Sequence, residues 1–113
     1  MNILNESYIE LKKSKFYGYL FNVDDIDEVN NIIDKIKKDN KKARHVVYAY
    51  KINDQEKVFS DKEPNGTVYP LLDIINKKNK NMCLVVVVRY FGGTLLGSGP
   101  LTRCYSKTAS NLF

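Results

Sequence analysis

The chain has no tryptophan, one histidine, two cysteines and three prolines, and each shortage removes a class of explanation. Cys83 and Cys104 cannot build a disulfide framework. One lies in an apolar run and the other in a helical pattern, so both read as small buried hydrophobes in a reducing compartment. With His45 the only histidine and no Cys/His spacing that suits zinc, neither a metal site nor a cofactor is expected. No apolar segment of signal-peptide type follows Met1, and the longest apolar run, residues 82–88, is far short of the ~20 residues that cross a bilayer. The expectation is a cytoplasmic protein without membrane contact. Arginine is scarce as well. Of 18 basic residues only Arg44, Arg89 and Arg103 are arginine, and all three fall beside or inside structured-looking segments, where a planar multi-donor group does what lysine does poorly.

What is present points to one soluble domain. The 113 residues, 43% hydrophobic and 27% charged, suffice for one modest core, and the net charge of +5 favours anionic partners. The pattern predicts strands over about 6–12 and 15–23, with Ser14 in the turn between them. Helical period takes over at 24–39, where Ile26, Val29, Ile32, Ile33 and Ile36 share a face and Asp25 and Glu28 have capping-box spacing. A strand at 44–52 turns at 53–56 into a short strand, KVFS. A turn-rich loop over 60–70 leads to a helix at 70–79 opened by Pro70. The four valines of residues 83–90 read as a strand buried on both faces, and a final helix runs from about residue 100. Leading strands with interspersed helices indicate an α+β two-layer sandwich, a mixed sheet covered by helices on one face.

Three constellations could carry chemistry. The first is the loop after the valine strand, with Gly92-Gly93 and Gly97-Ser98-Gly99 before Pro100. It is neither a dinucleotide fingerprint nor a P-loop. It can hold an anion at a helix N-terminus between Arg89 and Arg103, or it can be a tight reversal in which glycine allows close packing. The second is His45 beside Arg44, with Ser60, Asp61, Glu63, Ser98 and Cys104 as possible companions. It is either a hydrogen-bonded structural histidine or the base of a small hydrolase. The loop residues Ser60, Asp61 and Glu63 could equally line a cleft or cap the next segment. The third is a series of aromatics, Phe16, Tyr17, Tyr19, Phe21, Tyr48, Tyr50, Tyr90 and Phe91, which can be core and sheet cover or can stack bases.

Four segments together resemble a known family. KKSKFYGYLFNV (12–23), RHVVYAYKI (44–52), VFSDKEPNGT (58–67) and VVRYFGGTLLGSGPLTRCYSKTA (87–109) are similar to the signature of the YigZ/IMPACT N-terminal domain. The resemblance implies a fold like the second domain of a small-subunit ribosomal protein. It also implies a non-enzymatic role associated with translation regulation, binding RNA, the ribosome or a translation factor, as its eukaryotic members do by binding a protein activator of a starvation-response kinase. A pure protein-interaction domain is the alternative. The loop SDKEPNGTVYP departs from the family's SDDGEPSGTAGxP, being two residues shorter with two glycines missing, and Pro100 stands where a glycine is usual. Bacterial members commonly carry a second, ferredoxin-like domain. The expectation here is a single domain over residues 1–113 without it. On the binding reading, Arg44, Arg89 and Arg103, with the loop from Gly92 to Gly99, grip phosphate or acidic side chains, helped by Lys41 and Lys42.

Overall fold

The computed structural model describes residues 3–113. Strand β1 (Ile3–Leu11) turns directly into β2 (Ser14–Asn22). The turn is Lys12-Lys13, with φ of 47° and 68°, the doubly positive pair that a two-residue hairpin needs to follow the strand twist. Ser14 is therefore not in the turn. It is the first residue of β2, fully buried and paired with Leu11.

Helix α1 (Ile26–Asp39) forms as its pattern requires. The Asp25 carboxylate accepts a hydrogen bond from the Glu28 N–H at 2.8 Å, and the Glu28 carboxylate accepts one from the Asp24 N–H at 2.7 Å. The first satisfies a donor that the opening turn of the helix leaves free, and the second ties the residue before the cap to that turn. Val29, Ile32, Ile33 and Ile36 are its buried stripe. Strands β3 (His45–Ile52) and β4 (Gln55–Phe59), helix α2 (Pro70–Lys77), strand β5 (Cys83–Tyr90) and helix α3 (Ser98–Ser110) follow. None of the helices among the described residues is long and apolar enough to cross a membrane.

The class is α+β, as expected, but the sheet differs in two ways. Its order is β1-β2-β5-β3-β4 and every neighbouring pair is antiparallel, so it is not mixed. Helices also lie on both faces rather than one, which makes three layers. Val85 and Val87 point with Cys83 toward Leu71, Ile75, Leu101 and Tyr105 of α2 and α3. Leu84, Val86 and Val88 point the other way, toward the buried stripe of α1. The physical reason lies in β5 itself. All four valines are fully buried, each side chain worth about 1.5–3 kcal/mol when removed from water. A central strand that is apolar on both sides needs cover on both sides. Cys83 and Cys104 are buried free thiols.

Candidate functional site

The chemistry-bearing residues gather where β3 and β5 begin and end side by side. His45 opens β3 directly opposite Arg89, near the end of β5. Both continue the rows of Val47 and Val87, so both face the α2/α3 side. The loop after β4 bends sharply, with Asp61 and Lys62 at φ of 48° and 65° and the Glu63 N–H donating to the Ser60 carbonyl at 2.9 Å. That bend sends Glu63 inward. The Thr67 hydroxyl holds the loop's far side by donating to the Pro64 carbonyl at 2.7 Å.

Glu63 is the hub. Its two carboxylate oxygens accept from Arg89 Nη1 at 3.0 and 2.9 Å, and Oε2 also accepts from the Tyr105 hydroxyl of α3. His45 Nε2 lies 3.3 Å from Oε1, and His45 Nδ1 lies 3.5 Å from Asp61 Oδ2. Asp61 Oδ2 in turn accepts from the Val46 N–H at 2.9 Å. The Glu63 and Arg89 side chains are only 3% and 7% exposed. Burial at that depth requires such pairing, because an isolated buried charge is very costly. Burial, the nearby Glu63 charge and the hydrogen bond to it all push the Tyr105 phenol far above its ordinary ionisation range. Tyr105 therefore stays a neutral donor. Arg89 also stacks over Phe16, its Cζ 5.6 Å from the ring centroid, while its Nε has no partner among the described residues.

This geometry reassigns several expected site residues. Arg89 is inside the fold and its Nη1 is held by Glu63, so its guanidinium is not a surface grip. Arg44 is exposed, with its Cζ 4.4 Å above the Phe91 ring. It shares a cleft of about 240 Å³ with His45, Glu63 and Arg89. Arg103 is exposed on α3 and lines a different groove with Ile9, Leu11 and Lys107. The three arginines do not converge. The ring nitrogens of His45 face the carboxylates of Asp61 and Glu63 rather than a serine or cysteine. Ser60 contributes its carbonyl to the loop bend. Among the described residues, no group of three His, Cys, Asp or Glu side chains is placed to hold a metal ion.

The glycine loop is in part a packing device. A Cβ on Gly92 would lie 2.1 Å from the Lys13 carbonyl carbon, and the Gly92 N–H donates to Ser14 Oγ at 3.3 Å. The chain leaving β5 is thus pressed against the β1–β2 turn. Gly93 adopts φ of 93°, which side chains resist. Gly97, Ser98 and Gly99 are exposed at the start of α3, where Gly97 gives no side-chain cap. Of the aromatics, Phe16, Phe21, Tyr48 and Tyr50 are core, whereas Tyr17, Tyr19 and Tyr90 are only half-buried. Tyr105 and Thr67 were not singled out from the sequence. The one legible signal for Tyr105 is its place in the buried stripe Leu101, Tyr105, Thr108 of α3.

Residues 12–113 match the model of the Impact N-terminal domain. The chain is 38% identical over 109 residues to the IMPACT family member YvyE of Bacillus subtilis, covering 93% of this chain and 50% of that protein. It therefore spans about half the length of this curated relative. Among solved structures, a crystal structure of a hypothetical protein superposes with a TM-score of 0.88 at 27% identity, over 97% of this chain and 57% of the other. The two-domain translational regulator Yih1 matches with a TM-score of 0.51 at 20% identity, over 96% and 48% of the respective chains, a likeness of fold alone.

Proposed function

Because this chain belongs to the Impact N-terminal domain family, we propose that it is a non-enzymatic binding module associated with translation regulation in the cytoplasm. Its basic surface contacts RNA, the ribosome or a translation factor. The observation that carries this reading is the closure of the Glu63 hub. The groups that could perform acid–base chemistry are spent on one another, Glu63 on Arg89, Tyr105 and His45, and His45 on Asp61. Meanwhile Arg44, Arg103, Lys12, Lys13, Lys41 and Lys42 stay exposed. A fold that ties up its reactive groups and leaves its cations free is suited to holding an anionic partner. The fold likeness to a translational regulator supports the setting. The activity of any full-length relative could also draw on the half this chain does not match.

Co-sedimentation with ribosomes and with structured RNA over a salt series tests the reading. Binding should persist near physiological salt and weaken steeply above it, because each neutralised phosphate contributes about 0.7–0.9 to the logarithmic salt slope. Arg44→Ala and Arg103→Ala should each flatten that slope. No binding to either at physiological salt would overturn it. A second reading, a protein partner alone, is favoured by Leu95. This residue is 83% exposed in the glycine loop and lines one cleft with Leu96 and the exposed Phe91 ring, a small apolar patch of the kind protein interfaces cover. Salt-insensitive binding to ribosomes that Leu95→Ser abolishes would select it.

A further inference from the structure

Helix α1 does not cover its whole face of the sheet. Its apolar stripe sits with Phe21, Val46, Leu84, Val86 and Val88, and the β1–β2 half beside it is floored by tyrosines instead. Tyr8 and Tyr17 are directly cross-strand, with ring centroids 5.0 Å apart and planes tilted by 46°. Tyr17 meets Tyr90 edge-on at 5.9 Å. The outer rings are tethered by their hydroxyls. Tyr90 donates to the Asn40 side-chain carbonyl at the end of α1 at 2.6 Å, and Tyr8 donates to the Glu10 carboxylate. Tyr17, Tyr19, Tyr90, Lys13 and Lys15 line a trench of about 720 Å³, within the ~300–1,000 Å³ of small-ligand sites, and the Tyr8 ring stands at its edge against Tyr17.

We propose that this trench binds single-stranded RNA, with bases stacking on Tyr8, Tyr17 and Tyr90 while Lys13 and Lys15 hold the backbone. The inference rests on the translation-module reading and names the partner and the surface. Rings fixed by their hydroxyls offer stacking faces without a large ordering cost. Tyr8 is 47% exposed. The cations are well placed, Lys13 at the hairpin tip and Lys15 directly opposite Tyr90. The one lining acid, Glu10, already accepts from Tyr8. Tyrosines alone would suit a protein partner as well; the lysines separate the candidates, since lysine is depleted from protein–protein interfaces and contacts a phosphate backbone. A duplex keeps its base faces stacked on one another and cannot use the rings.

The test uses a short fluorescein-labelled oligouridylate and an RNA duplex of equal length, followed by anisotropy. The single strand should bind at least ten-fold more tightly than the duplex. Tyr8→Ala, at an exposed edge position, should weaken it about five-fold or more. Tyr17→Leu keeps apolar bulk under the trench and should weaken it likewise. Lys15→Gln should reduce the salt slope by about 0.7. Because the chain has no tryptophan, tyrosine emission gives a second readout and should be quenched by the stacked bases. Equal binding of duplex and single strand, or parental affinity in both tyrosine variants, overturns the proposal. If ribosomes still sediment with those variants, only the trench falls. If neither ribosomes nor RNA is bound, the module reading falls with it.

Discussion

Arg89→Met is the most informative single change, because it separates an internal strut from a surface contact. The substitution keeps much of the side-chain length and removes the guanidinium, leaving the Glu63 carboxylate 3% exposed with only Tyr105 and His45 beside it. Removing one member of a buried pair costs about 3–5 kcal/mol, mostly from the stranded charge. A domain of this length has roughly 6–17 kcal/mol in total, at ~0.05–0.15 kcal/mol per residue. The variant therefore loses a large fraction of its stability. Its Tm should fall by about 12–20 °C at roughly 4 °C per kcal/mol. Circular dichroism during thermal and urea unfolding measures this directly. The double variant Arg89→Met/Glu63→Leu removes both charges and should recover part of the loss, the remainder reflecting the buried Tyr105 hydroxyl left without its acceptor. A Tm within a few degrees of the parent for Arg89→Met, or a double variant no more stable than the single, would refute the strut. An arginine that acted by gripping a ligand would leave the unfolding curve in place and change only affinity.

Two further expectations concern local structure and pH. Asp25→Ala removes the acceptor for the Glu28 N–H at the start of α1 and should cost about 1 kcal/mol in urea unfolding; no change would mean that the cap contributes nothing. Burial pushes the Cys83 thiol up to about 11 from 9.0, partly opposed by Lys80 and Lys51, and it moves the Tyr105 phenol upward too. In the unfolded chain these groups lose their protons at lower pH than in the fold. Stability is thus complete below pH 9 and declines as pH rises through 9–11, by at most about 1.4 kcal/mol per pH unit for each group. Cys83→Ala should flatten the first part of that decline in chemical unfolding at pH 8 and pH 11, and an unchanged slope would exclude the thiol as its source.

What the sequence disclosed and what it withheld divide along a physical line. Signals carried by neighbours in the chain were legible. The capping pair Asp25 and Glu28, the 3.6-residue stripe of α1 and the valine run of β5 all landed where the periodicity placed them. Pairings between distant segments were not. No local feature of the loop at 60–70 says that Glu63 meets Arg89 and Tyr105, which lie far along the chain. The hairpin at Lys12-Lys13 lacks the Asn-Gly or Asp-Gly pair that marks such turns, so its position was displaced by one residue. The two-sided helical cover was available in principle, because a strand buried on both faces implies two apolar neighbours. The arginines teach a similar lesson. Scarcity in a lysine-rich chain singles out all three, yet it does not tell their direction: Arg89 is turned inward, whereas Arg44 and Arg103 lie exposed.

The strand order also dictates when the sheet can be completed. Its middle strand, β5, is the last of the five in the chain, inserted between β2 and β3. A nascent chain that has not yet reached residue 83 can pair only β1 with β2 and β3 with β4. Until β5 arrives both edges of each hairpin are unpaired, and side chains such as Phe16, Phe21, Val47 and Tyr48, buried in the complete fold, lack the neighbours β5 supplies. Neither hairpin is stable alone, and non-local pairing of this kind is slow. During synthesis the chain remains unprotected until most of it has emerged. Docking of β5 then joins the two halves and brings Arg89 to Glu63 in the same event.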